Sequence, residues 1–150
     1  MMVSTKGRYA LRVMIELAAR AGEGLISLKD VAQSQQISEK YLEAIMKNLV
    51  KAGLVSGLRG KGGGYQLAVA PNSCTVADIL RAAEGSLAPV SCQGLEGMCC
   101  PRQEQCTTLP VWRGLEQLVN QYFEGITLEE LAHPNQNLEP ENREPANSPK

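Results

Sequence analysis

Between residues 54 and 70, two short β-type runs, Leu-Val-Ser-Gly-Leu and Tyr-Gln-Leu-Ala-Val-Ala, enclose Arg-Gly-Lys-Gly-Gly-Gly. No other stretch restricts the fold as much. The clustered glycines end any helix and permit the positive φ angles of a hairpin tip, while β-branched and large apolar residues on either side favour paired strands. Arg59 and Lys61 place charge at the end of this arm. A phosphate-binding loop would need Ser or Thr after a Gly-Lys pair and a helix starting there, and neither is present.

The chain before the arm reads as three helices. From Ser4 to Ala21, the residues Ala10, Leu11, Val13, Met14, Leu17 and Ala18 recur at helical spacing, and Gly22 and Gly24 stop the run. Ser27 opens a short second helix, with Asp30 at the third helical position, and Ile37 closes the following turn. Ser38 opens a third helix, whose expected apolar face is Tyr41, Leu42, Ile45, Leu49 and Val50, ending at Gly53. Two helices joined by a tight turn have helix-turn-helix proportions, and a hairpin directly after them reads as the wing of a winged helix.

Downstream, Thr75 caps a helix that stops at Gly85, and a strongly apolar stripe follows from residue 109. Trp112, Leu115, Leu118, Val119, Tyr122 and Phe123 repeat every three or four residues, a face that needs a partner, most simply a second copy of itself. The expected architecture is therefore mainly α with a small β-hairpin. It comprises a winged helix-turn-helix over residues 1–72, whose first helix also contributes to dimer contacts, and a connecting helix and cysteine loop over 73–107. A dimerisation helix and final short helix occupy 108–132, and a polar, Pro-rich tail over 133–150 is expected to be disordered.

Charge agrees with a nucleic-acid partner. Residues 1–61 carry ten Lys and Arg against five acids, a net of +5, whereas the remainder carries −6 within a formal total of −1. No run is apolar for long enough to span a bilayer, so no membrane partner and a cytoplasmic location are expected. In a reducing compartment clustered cysteines favour metal binding or redox sensing over structural disulfides.

Four of the five cysteines fall between residues 92 and 106, among Gly, Gln, Glu and Pro rather than core-forming residues. Thiols on such a loop suit a soft metal or an iron-sulfur cluster, because the loop can turn several sulfurs inward. A zinc site and a thiol/disulfide switch through Cys99 or Cys100 remain open, although paired C-x-x-C knuckles are missing. An enzyme with a nucleophilic cysteine would need a nearby base, and the single histidine, His133, is far along the chain and expected to be exposed. Cys74 lies outside the cluster and reads as structural.

Taken together, the Ser-Thr-Lys-Gly-Arg-Tyr-Ala-Leu start, Ile-Ser-Glu-Lys-Tyr-Leu-Glu-Ala-Ile in the third helix, the glycine-rich wing and the cysteine loop leading into Val-Trp-Arg-Gly-Leu resemble the IscR-like regulators. These are iron-sulfur winged-helix transcription regulators, and the resemblance covers about residues 2–132. It implies a homodimer on a double-stranded DNA operator, with affinity set by a [2Fe-2S] or [4Fe-4S] cluster that answers to iron, redox or nitric-oxide state. It implies base or backbone contacts from Ser38, Lys40, Tyr41, Glu43 and Ala44. On the wing it implies minor-groove entry by Arg59, with Lys61, Gly62 and Gly63 beside it. Ala44 stands where the family can carry Gln; Ala can touch a thymine methyl but cannot make the bidentate bond to adenine.

The implied ligands are Cys92, Cys100 and Cys106, with Cys99 as a further candidate. Cys100 and Cys106 keep the family's five-residue gap, whereas seven residues separate Cys92 from Cys100. Leu109 occupies the place of a family histidine and cannot ligate, and no acid precedes Glu16 in the first helix to substitute for it. Glu96 and Glu104 in the loop remain as carboxylate candidates. The dimer contact implied for the long helix uses Trp112, Leu115, Leu118, Val119 and Tyr122.

Overall fold

The computed structural model describes residues 3–134 apart from Gln93, Gly94, Glu96, Met98 and Cys99. Six α-helices and one hairpin are present among the described residues. Helix α1 spans Thr5–Ala19, α2 Leu28–Gln35 and α3 Glu39–Lys51; strands β1, Val55–Leu58, and β2, Gly64–Leu67, follow. Then come α4, Val76–Glu84, α5, Leu109–Glu124, and α6, Leu128–Ala132. This is the winged-helix order expected from the sequence.

Local chemistry sets the helix starts. Ser4, Ser27, Ser38, Thr75 and Thr127 are all N-caps whose side chains accept a backbone N–H of the first turn. Thr75 with Asp78, and Thr127 with Glu130, form complete capping boxes. The α2–α3 turn needs a left-handed residue, and it is Gln36, with φ 56 and ψ 46, rather than a glycine. Ile37 after it is buried and anchors the turn to the core.

Helices α1, α2 and α3 enclose the main core, in which Val13, Met14, Leu42, Met46 and Leu49 are fully excluded from water together with Leu128 of α6. The buried face of α3 differs by part of a turn from the sequence expectation. Met46 is inside, while Tyr41 and Val50 are 37% and 41% exposed. The reason lies in what packs on the helix: α3 contacts α1, α2, α4 and β1 together, which centres the stripe on Leu42, Ile45, Met46 and Leu49. A second small cluster joins Val76, Ala77 and Leu80 of α4 to Leu87 and Ile126.

The hairpin is antiparallel, with Val55 opposite Leu67 and Leu58 opposite Gly64. It is tied to the start of α2 by a bridge in which Ile26 and Tyr65 exchange both backbone hydrogen bonds, at 2.9 and 2.8 Å. Gly64 is required there, since a Cβ would stand 2.5 Å from the Ile26 carbonyl oxygen. A second bridge, Thr75 to Thr127, ties the α4 entrance to the α6 entrance. These ties orient the wing and α4 around the three-helix core, and they leave α5 with only Leu109 buried.

Candidate nucleic-acid interface and cysteine segment

Helix α3 turns Ser38, Lys40, Tyr41, Glu43 and Ala44 toward solvent, and the wing presents Arg59, Lys61 and Gly62 in the same way. Gly63 is half-buried because the tip folds back on itself, and its amide donates to the Gly60 carbonyl at 3.0 Å. Every residue expected to meet DNA, except the half-buried Gly63, is therefore exposed. Ser38 Oγ accepts the Tyr41 amide at 3.2 Å, so its own proton is left to donate.

Helix α1 supports this face through contacts that carry no local sequence signal. Tyr9 meets Tyr41 edge-on, with ring centroids 5.9 Å apart. The Arg12 guanidinium lies 5.2 Å from the Tyr9 ring and donates from Nη2 to the Gln35 carbonyl at 2.7 Å, satisfying an end carbonyl of α2. Glu16 accepts from Ser34 Oγ at 2.9 Å and from Gln35 Nε2 at 2.5 Å. The helix-turn-helix is thus pinned from behind at the C-terminus of α2 and the N-terminus of α3, which restricts how the exposed side chains of α3 can move.

Cys92, Cys100 and Cys106 are free and half-exposed in the segment joining α4 to α5. Cys99 and Glu96 lie outside the described residues, as does the tail from residue 135. Among the described residues no three His, Cys, Asp or Glu side chains stand together as a metal-holding group. The donor chemistry nonetheless suits a soft centre. Cys106 sits just before α5, 3.5 Å from Thr108 Oγ1, and its thiol is held below the ordinary range by that hydroxyl and by the Leu109 and Thr108 amides. A lowered value enlarges the thiolate fraction at a given pH, and the thiolate is the form that ligates metals and attacks disulfides.

Leu109 is buried, so the place of the family histidine serves packing, and His133 is exposed beyond α6. Cys74 behaves as a core residue: burial, with Asp78 nearby, pushes its thiol up to about 11. On α5, Leu118 is 65% and Leu115 41% exposed, Tyr122 is also exposed, and Trp112 and Val119 are half-buried. The apolar stripe expected for a dimer contact is left uncovered within one chain.

The profile of the Rrf2 family, described as an iron-dependent transcriptional regulator, matches residues 3–134. The chain belongs to the Rrf2 family. It is 39% identical over 131 residues to the HTH-type transcriptional regulator IscR of Aliivibrio salmonicida, covering 87% of this chain and 77% of that one. The structure of CymR, described as the global cysteine regulator of B. subtilis, superimposes with a TM-score of 0.72 at 39% identity, covering 90% of this chain and 98% of that one. T. potens IscR gives a TM-score of 0.67 at 36% identity, over 93% and 92% of the two chains. The protein is a winged-helix transcriptional regulator of this family, and among the described residues no helix is long and apolar enough to cross a membrane.

Proposed function

We propose that this Rrf2-family regulator binds its operator as a homodimer, with an affinity governed by an iron-sulfur cluster held by Cys92, Cys100 and Cys106. The observation that carries the reading is the placement of three free, half-exposed thiols in the one segment that connects α4 to the uncovered helix α5. The lowered Cys106 thiol supports it. In this reading residues 1–72 form the DNA-reading unit, 73–107 the connecting helix and sensor segment, and 108–132 the dimer element. Ser38, Lys40, Tyr41, Glu43 and Ala44 meet the major groove, and Arg59 enters the minor groove with Lys61, Gly62 and Gly63 alongside.

The coupling would run through α4, which packs on both α1 and α3 at one end of the sensor segment and on α5 at the other. Ordering that segment around a bound group would bias the position of α5, and hence the spacing of two recognition helices in the dimer. No catalytic step is required, and the chain is read as a binding protein rather than an enzyme.

The test is iron, acid-labile sulfide and zinc content, with a visible spectrum, on protein purified without oxygen. Iron and sulfide in stoichiometric amounts with thiolate-to-iron bands support the cluster. The second reading, a zinc site or a thiol/disulfide switch, draws on the same low-lying Cys106 thiol. Zinc alone, or no metal after attempted reconstitution, would favour it.

A further inference from the structure

The sequence pointed to α3 and to the wing tip, but not to the space between them. A cleft of about 710 Å³ opens there, with Glu43, Lys47 and Val50 of α3 on one wall and the wing from Gly57 to Gly60 on the other. Two apolar side chains line it without a packing role in the core: Leu58 is 61% and Val50 41% exposed. Lys47 is exposed and takes part in none of the ion pairs formed among the described residues.

We propose that this cleft seats one sugar-phosphate strand of the operator, with Lys47 as its phosphate contact and Val50 and Leu58 lying against deoxyribose. The inference rests on the DNA-binding reading above and gives it a register. In duplex DNA one strand separates a major groove from the minor groove next to it. If α3 occupies the first and Arg59 the second, that strand must run between helix and wing, which is where the cleft lies.

The wing wall is built for close approach. A Cβ on Gly57 would stand 2.9 Å from the Tyr65 ring, and one on Gly63 would stand 2.9 Å from the Gly60 carbonyl oxygen, so the fold itself demands glycine at both. The consequence is a wall in which four glycines stand among the side chains of only Leu58, Arg59 and Tyr65. Lysine, a point charge on a flexible stem, suits a phosphate whose exact position varies with sequence. Glu43 on the same wall would repel a phosphate and is one turn nearer the N-terminus of α3, which places the contact at Lys47.

The test compares Lys47→Ala with Lys51→Ala. Lys51 is one turn further along α3 but lines the shallow recess toward α4 and not the cleft, so the two changes remove equal charge inside and outside the proposed strand path. In salt titrations on operator and unrelated duplexes, Lys47→Ala should weaken both about fivefold to tenfold and lower the salt slope by about 0.9 for each recognition head. Lys51→Ala should change neither by as much as twofold. Equal effects of the two variants would overturn the inference, as would a Lys47→Ala effect confined to particular operator base pairs. Failure of the unaltered protein to bind any duplex would overturn the DNA reading itself, and this inference with it.

Discussion

The Glu84 carboxylate at the end of α4 caps the start of α1: its Oε1 lies 2.6 Å from Ser4 Oγ and 2.9 Å from the Ser4 amide, across 80 residues of chain. The Gly7 amide donates to the same oxygen at 3.1 Å. Helix α1 has no acidic residue in its own first turn, so Glu84 supplies a second acceptor for the Gly7 amide beside Ser4 Oγ, and the negative charge that the positive end of the helix favours.

Removing this carboxylate should therefore destabilise the fold. Glu84→Ala is expected to cost about 1–2 kcal/mol in urea unfolding, and Glu84→Gln less, because its amide oxygen can still accept. Gly7→Ala should also destabilise, since the added Cβ would overlap Glu84 Oε1. A Glu84→Ala protein as stable as the parent would show that water replaces the cap at no cost.

This contact also marks the limit of what could be read from the sequence. The caps at Ser27, Ser38 and Thr75 were legible because each donor and acceptor lie three residues apart, so local order alone reveals them. Glu84 to Ser4, Tyr9 to Tyr41 and the Ile26–Tyr65 bridge join segments far apart in sequence and have no periodic signature. The α3 face was displaced for the same reason: Met46 was missed because burial there is decided by α1, α2, α4 and β1 jointly. Of the candidate site, the wing cations were read from the charge at the hairpin tip, whereas the α3 residues came from the family resemblance and not from spacing or charge. The cleft at Lys47 required the hairpin's actual tilt.

Cys74 gives a pH dependence with a definite sign. Its folded-state value is raised, from an ordinary 9.0 to about 11, by burial first and by Asp78 second, so folding favours the protonated thiol. That contribution is fully present below the ordinary value and is lost as pH rises toward about 11. Cys74→Ala should flatten the alkaline stability slope across this window, measured by urea unfolding at closely spaced pH values. In metal-free native protein, alkylation should reach Cys106 well before Cys74; the reverse order would contradict both assignments.

Arg59 should matter for DNA and for little else. It is exposed at the start of the wing tip. Arg59→Ala is expected to lower operator affinity at least about tenfold at fixed salt by removing a minor-groove cation. Sedimentation should show an unchanged oligomeric state. Full affinity in the variant would remove the wing from the interface.

The uncovered α5 stripe predicts the opposite pattern. Leu118 is the most exposed of its large apolar residues. Leu118→Arg should shift sedimentation toward monomer and weaken operator binding as a consequence, with little change in monomer folding, because the residue is outside both core clusters. A variant that sediments as the parent does would place the dimer contact elsewhere.

The most direct test of the central claim is operator affinity at one fixed salt concentration, measured without oxygen on cluster-loaded protein and again after the cluster is removed. The account predicts a difference of at least about tenfold, a coupling of roughly 1.4 kcal/mol, that vanishes when Cys92, Cys100 and Cys106 are replaced together by Ser. Equal affinities of the loaded and stripped protein would contradict it.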